Sequence, residues 1–165
     1  SHLTTKNYDS MLTGLGHLHS ANRYILLALI LIVLITSFTK WKGNKEYSKQ
    51  DDKLNLMTFI ITHIQLLLGF ILYFAKGWHN FTPSTMKVAA LRFFSIEHMI
   101  GMLIAIVLIT VARIKGKKIV EAAKRHKLTF IYYAIALVII FASIPWLVLS
   151  FYEISPFRGF GNDWF

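Results

Sequence analysis

Four long apolar runs constrain the fold of this chain more than any other feature. They are Tyr24 to Phe38, Leu54 to Ala75, Phe93 to Ala112 and Leu128 to Leu149. The last three approach the ~20 residues that a helix needs to cross a bilayer. The first reaches that length only if its helix begins earlier and takes in Leu15, Leu18 and Ala21, which draws His17 and His19 into or near the membrane. The runs predict an all-α fold, a four-helix transmembrane bundle.

The composition agrees with a membrane protein. The chain has 165 residues, of which 55% are hydrophobic, and its mean hydropathy is +0.52. A chain of this length normally forms one domain, and this apolar content is not that of a water-soluble one. The lipid bilayer is therefore the first predicted partner.

The basic residues indicate orientation rather than nucleic-acid binding. Of the 18 Lys and Arg residues, five lie between the first two runs and seven lie between the last two. With four spans these loops share one side, which the positive-inside rule makes cytoplasmic. No aromatic stacking pattern interleaves the lysines, so we expect no nucleic-acid partner. The prediction is a multi-pass protein of the bacterial inner membrane with both termini in the periplasm.

The absence of cysteine removes several chemistries. The chain cannot form a disulfide, a thiolate-bound iron–sulfur cluster or a Cys-x-x-Cys-His haem attachment. A metal would have to be held mainly by histidine, carboxylate or methionine.

Histidines in the apolar runs are the candidate functional residues. His63 lies near the middle of the second run, His98 lies in the outer half of the third, and His17 and His19 lie at the outer end of the first. Ionisable groups inside a bilayer are costly, so they usually face the bundle interior and mark function. A single histidine of this kind is as often a structural residue that forms a hydrogen bond between helices. That alternative weakens when three of four helices carry one.

Small residues lie beside some of these histidines. Gly101 and Ala105 share the face of His98, and Gly14 and Ala21 flank His17 in the same way. Such residues clear a flat slot in which a porphyrin ring fits, with imidazole reaching the iron from the side. Small residues alone more often let membrane helices approach closely. The combination of histidine and small residues on two helices favours haem.

The second helix departs from this pattern, because Gly69 lies off the face of His63 while Phe59 and Phe70 share it. His63 is therefore the weaker ligand candidate.

Depth leaves the pairing of ligands open. Counted from the cytoplasmic basic residues at ~1.5 Å per residue, His63 lies about 15 Å deep, His98 about 22 Å and His19 about 31 Å. Helix tilt can bridge either gap, so His98 pairs with His19 or with His63, and two haems stacked across the bundle are also compatible. His126 and Arg23 are further candidates for iron or propionate contacts, although a solvated or headgroup-facing side chain is favoured for both.

Four other residues carry structural expectations. Thr82 and Pro83 predict the start of a short interfacial helix in the outer loop. Pro145 predicts a kink or end in the fourth helix. Glu97 lies about 100° round the helix from His98, which predicts a hydrogen bond to another helix or, less favoured, proton exchange with a quinone head.

Several segments resemble a known family. The stretches "MLTGLGHLHSANRY", "THIQLLLGF", "IEHMIG", "RHKLTFIYY" and "ASIPW" are similar to those of small bacterial four-helix, cytochrome-b-like membrane proteins. The resemblance implies b-type haem, with the matching positions His17, His19, His63 and His98. It also implies that the native chain starts at Met11, so that residues 1–10 are an extension and residues 11–165 are a single transmembrane domain. A fainter similarity to haem A synthase rests on the segment from Gln65 to Gly69.

The sequence thus predicts a membrane protein that binds one or two b-type haems and transfers electrons, with quinone as a candidate partner. Its iron ligands are predicted to be His98 and His19. Two alternatives stay open: a cofactor-free accessory subunit of a larger respiratory or membrane complex, and a haem-modifying or quinone-linked oxidoreductase.

Overall fold

The computed structural model describes residues 2–144, with side chains from residue 7 onward. Within that part of the chain all regular structure is helical. The elements, in chain order, are α1 (His2–Lys42), α2 (Lys49–Ala75), α3 (Pro83–Lys87), α4 (Ala89–Arg92), a π-helical turn (Phe93–Glu97), α5 (His98–Gly116) and α6 (Ala122–Ser143).

Four segments are long and apolar enough to span a membrane. They are Asn7–Lys42, Lys49–Ala75, Ala89–Gly116 and Ala122–Ser143, and the third joins α4, the π-helical turn and α5. Helix α1 packs against α2 and α6, and α5 packs against the same two helices. The predicted all-α, four-helix bundle is confirmed, and the chain is a multi-pass membrane protein by the length and hydropathy of its helices.

The bundle interior combines an apolar core with buried polar residues. Side chains such as Ile30 of α1, Ile109 of α5 and Ala136 of α6 are fully buried. Helix α2 instead buries polar residues at alternating spacings of four and three. These are Asp51, Asn55, Thr58 and Thr62. The Thr58 and Thr62 hydroxyls donate to carbonyls of their own helix at 2.9 and 2.7 Å, which satisfies them inside the bundle.

A capping box starts α2 at the end of the bundle that carries the basic loops, here called the basic end. The Ser48 hydroxyl accepts from the Asp51 backbone N–H, and the Asp51 carboxylate accepts from the Ser48 backbone N–H at 2.7 Å. The ammonium group of Lys40, near the end of α1, donates to the same carboxylate at 2.7 Å. One buried acidic residue therefore begins one helix and ties it to another.

His126 is buried at the basic end. It is 1% exposed, its ring lies 5.1 Å from the Tyr47 ring, and its Nε2 lies 3.4 Å from the Glu46 carbonyl oxygen. The expectation of a solvated His126 is therefore wrong: the segment between α1 and α2 folds over the ring. Burial also raises the pKa of the Tyr47 phenol, against the opposing effect of the nearby Arg125 guanidinium.

The outer loop contains the short helix predicted from Thr82 and Pro83. Helix α3 begins at Pro83, and the Thr85 hydroxyl accepts from the Thr82 backbone N–H at 2.9 Å. Trp78 of this loop stacks on Phe94 at 4.9 Å between ring centroids. Aromatic residues are enriched where membrane proteins meet the interface, which predicts an outer aromatic belt from Trp78 and Phe81 of this loop with Trp146, Trp164 and Phe165. The last three lie outside the described residues.

Residues 2–10 continue α1 without a break. The Tyr8 hydroxyl donates to the Ala75 carbonyl at 3.3 Å, so this first segment contacts the end of α2. The boundary at Met11 stays a prediction.

Candidate functional site

The structure brings together two of the four candidate histidines. The ring centroids of His19 and His98 are 6.5 Å apart and the ring planes meet at 73°, an edge-to-face contact. His19 belongs to α1, and His98 is the first residue of α5 after the π-helical turn. Two imidazoles from non-adjacent spans thus meet inside the bundle.

The ring of His98 is oriented by the end of α6. Its Nδ1 lies 2.7 Å from the backbone carbonyl oxygen of Ser143. Because a carbonyl only accepts, Nδ1 carries the proton and Nε2 keeps its lone pair. Ser143 is the last residue of α6, where helix carbonyls lack a partner within the helix.

The sequence explains why α6 ends there. Ile144 is extended, with φ −84° and ψ 138°, and precedes Pro145, which disfavours helical backbone in the residue before it. Pro145 itself lies outside the described residues. The predicted helix end thus also supplies a hydrogen-bond acceptor to His98.

A π-helical turn precedes His98 and carries part of its surroundings. The His98 backbone N–H bonds to the Phe93 carbonyl, five residues earlier. The rings of Phe93 and Phe94 lie 6.0 and 6.2 Å from the His98 ring. The Tyr73 hydroxyl of α2 donates to the Ser95 carbonyl at 3.1 Å and ties the turn to the bundle. Turns of this kind are frequent at functional sites.

His19 is held by two amide side chains. Asn22 donates to Gln65 Oε1 at 2.8 Å, which leaves the Gln65 amide nitrogen facing His19. That nitrogen donates to the His19 carbonyl at 3.0 Å and lies 3.4 Å from His19 Nε2. In this arrangement Nε2 is the acceptor and Nδ1 carries the proton. Nδ1 is buried without a hydrogen-bond partner among the described residues.

Two glycines allow close approach at the site. A Cβ on Gly69 would lie 3.3 Å from His19 Cε1, so Gly69 of α2 makes room for the His19 ring. A Cβ on Gly101 would collide with the Ser143 hydroxyl and would lie 2.9 Å from its Cβ. The space beside Gly101 is therefore filled by α6, and the porphyrin slot predicted there is a helix contact instead.

The other two candidate histidines lie elsewhere. His63 Nδ1 is 2.8 Å from the Phe59 carbonyl oxygen, and the centroids of the two rings are 4.1 Å apart, so His63 contacts its own helix. His17 is half-buried and lies two residues from His19, which places the two on roughly opposite sides of α1. Gly14, predicted to clear a slot beside His17, is exposed with nothing near its face.

Arg23 and Glu97 also differ from expectation. Arg23 turns toward the bundle, where its Nη2 donates to the hydroxyl of the buried Ser20 at 3.1 Å. Glu97 accepts from Arg92 Nε at 2.8 Å. This bond lies within one span, because the i,i+5 register of the π-helical turn brings the two side chains together. The expected bond from Glu97 to another helix is replaced by this ion pair.

The depths counted from the sequence place His98 and His19 farther apart than the structure does. The count of residues gives a difference in depth of about 9 Å, yet the two ring centroids are only 6.5 Å apart. One cause is Arg113, which is 9% exposed and lies 3.5 Å from the Asp52 carbonyl, so it does not mark the end of its span. The helix continues to Gly116, which adds about 4.5 Å to the depth of His98.

The sequence contains a pattern around each of Gln65 and Asn22, but neither pattern predicts that these residues contact His19 or each other. Gln65 continues the polar spacing of α2 from Thr58 and Thr62, and Asn22 lies one turn before the apolar core of α1. The resemblance to haem A synthase is the only feature of the sequence that singles out Gln65.

The chemistry of the pair fits axial ligation of iron. A ligating imidazole commonly donates its second N–H to a backbone carbonyl, which is the arrangement of His98. Among the side chains of residues 7–144 no group of three or more His, Asp or Glu is placed to hold a metal ion. Two facing imidazoles are sufficient only for a metal whose other ligands come from a cofactor.

Comparisons of this chain with protein-family models, with curated proteins and with solved structures found no match.

Proposed function

We propose that the protein is a b-type haem protein of the membrane that transfers electrons, with His19 and His98 as the axial ligands of one haem. The observation that carries the proposal is the contact between these two imidazoles from α1 and α5. The pairing favours one haem over two, because His17 lies on roughly the opposite side of α1 from His19 and His63 contacts Phe59 of its own helix.

The residues around the pair would orient its ligands. Haem iron held by two imidazoles supplies one-electron redox chemistry. Ser143 would keep His98 in the tautomer whose Nε2 faces the iron, and Gln65 with Asn22 would set the position of His19. Outer partners of this kind hold ring orientation and adjust ligand basicity. The surrounding apolar bundle would exclude water and thereby influence the reduction potential.

For the electron partner we propose a quinone, since quinones dissolve in the same bilayer as these four helices. The location that agrees with the charge distribution is a bacterial inner membrane with periplasmic termini.

A visible spectrum of the detergent-purified protein tests the haem proposal. The expected result is a Soret band that shifts on reduction with dithionite, with about one haem per chain. Iron held by two imidazoles is low-spin, so a low-spin spectrum is expected. A protein that shows no Soret band, as isolated or after addition of haemin, would contradict the proposal and favour the accessory subunit without a cofactor.

Topology is tested separately. Because 12 of the 18 basic residues flank or form the loops at one end, a reporter fused after Phe165 is expected to report a periplasmic location. Alkaline phosphatase and green fluorescent protein fusions give opposite readings. Fluorescent cells without phosphatase activity would reverse the proposed orientation.

A further inference from the structure

Arg23 differs from the other arginines that the structure describes. Arg92 lies 2.8 Å from Glu97, and Arg113 and Arg125 lie 3.8 and 3.0 Å from Asp52. Among residues 2–144, Arg23 has no carboxylate within salt-bridge distance. Its only acceptors there are neutral, the hydroxyls of Ser20 and Tyr24 at 3.1 and 3.2 Å.

Arg23 has a buried hydrogen-bond donor, its Nε, without an acceptor among the described residues. A guanidinium group has five N–H donors and no acceptor, and it cannot be deprotonated in proteins. Such a charge within a membrane span is costly unless an anion accompanies it. The position beside Arg23 Nε is therefore suited to a carboxylate or phosphate that the described side chains, those of residues 7–144, do not supply.

Arg23 lies near the histidine pair along α1. Arg23 follows His19 by four residues, one turn along α1. The hydroxyl that accepts from Arg23 belongs to Ser20, the residue next to His19. A ligand bound by the two histidines would therefore lie close to the guanidinium group.

We infer that Arg23 binds a carboxylate of the ligand held by His19 and His98, namely a haem propionate. This inference rests on the proposed function. Arginine is well suited to the task because its planar fork can make two parallel hydrogen bonds to one carboxylate. Ser20, which is 1% exposed, would hold the guanidinium group in place, and the Tyr24 ring supports it at 4.8 Å.

The test compares two ligands that differ only in the carboxylates. Haemin and its dimethyl ester are titrated into haem-free full-length protein in a detergent without phosphate groups, and the Soret change gives each Kd. The wild type is expected to bind haemin about tenfold to a hundredfold more tightly than the ester, the effect of a hydrogen bond to a charged group. Arg23→Gln is expected to lose this preference, while Arg23→Lys retains part of it. Arg92→Gln, which breaks an exposed ion pair, is the matched control and keeps the preference.

The outcomes separate this inference from the proposed function. Equal binding of haemin and ester by the wild type, or an undiminished preference in Arg23→Gln, would overturn the Arg23 assignment and leave the histidine pair intact. A wild type that binds neither ligand would overturn both. Repeating the titration with added phosphatidylglycerol identifies a lipid phosphate as the partner of Arg23 if the preference disappears, which also overturns the assignment.

Discussion

Replacement of His98 by alanine is expected to reduce the haem content of the purified protein by roughly tenfold or more. Even the outer partners of a metal ligand are worth 10- to 100-fold in affinity, and His98 would be the ligand itself. His19→Ala is expected to have the same effect, because either change leaves one imidazole at the site. The measurement is the Soret absorbance per chain, together with the low-spin bands of the reduced protein.

Three variants serve as controls for this prediction. His63→Ala and His17→Ala remove histidines that lie away from the pair. Glu97→Gln alters the neighbour of His98; the Glu97 carboxylate forms an ion pair with Arg92. All three are expected to keep a normal low-spin spectrum. If His98→Ala keeps it as well, the ligand assignment is wrong, and His17 and His63 become the residues to examine.

Replacement of Gly101 by alanine is expected to destabilise the bundle by about 1–3 kcal/mol, the usual cost of overpacking a close contact. The new Cβ would meet the Ser143 side chain, and rotation of the hydroxyl cannot relieve the contact with Ser143 Cβ at 2.9 Å. Helices α5 and α6 must therefore move apart. Since the Ser143 carbonyl also accepts the His98 hydrogen bond, the same movement is expected to weaken haem binding.

The chain offers a matched control and a rescue for this effect. Gly14→Ala makes the same chemical change where nothing lies within 4 Å, so its stability is expected to be unchanged or slightly raised. The double variant Gly101→Ala with Ser143→Gly removes the colliding group and is expected to recover part of the lost stability. Unfolding by sodium dodecyl sulfate in mixed micelles measures all of these. A Gly101→Ala protein as stable as the wild type would show that the two helices do not depend on this contact.

Local features of the sequence were sufficient to predict the helices and several of their ends. The four apolar runs predicted the spans, because a helix crosses the bilayer when it is long and apolar enough, whatever its contacts with other helices. The same holds for Thr82 and Pro83 at the start of α3, where the preferences of single residues determine the backbone. The placement of histidines within the spans followed in the same way.

The pairing within the bundle was decided by the tertiary structure alone. His98 meets His19 rather than His63, and Gln65 and Gly69 of α2 contact His19, because each helix takes one rotation and one offset relative to its neighbours. The periodicity of a single helix determines which residues share a face, but not which face it meets on another helix. Gly101 illustrates the limit: its small size predicts a slot for a ligand, whereas Ser143 of α6 fills the space. Close packing of one helix on another depends on both surfaces at once, and no single stretch of sequence contains both.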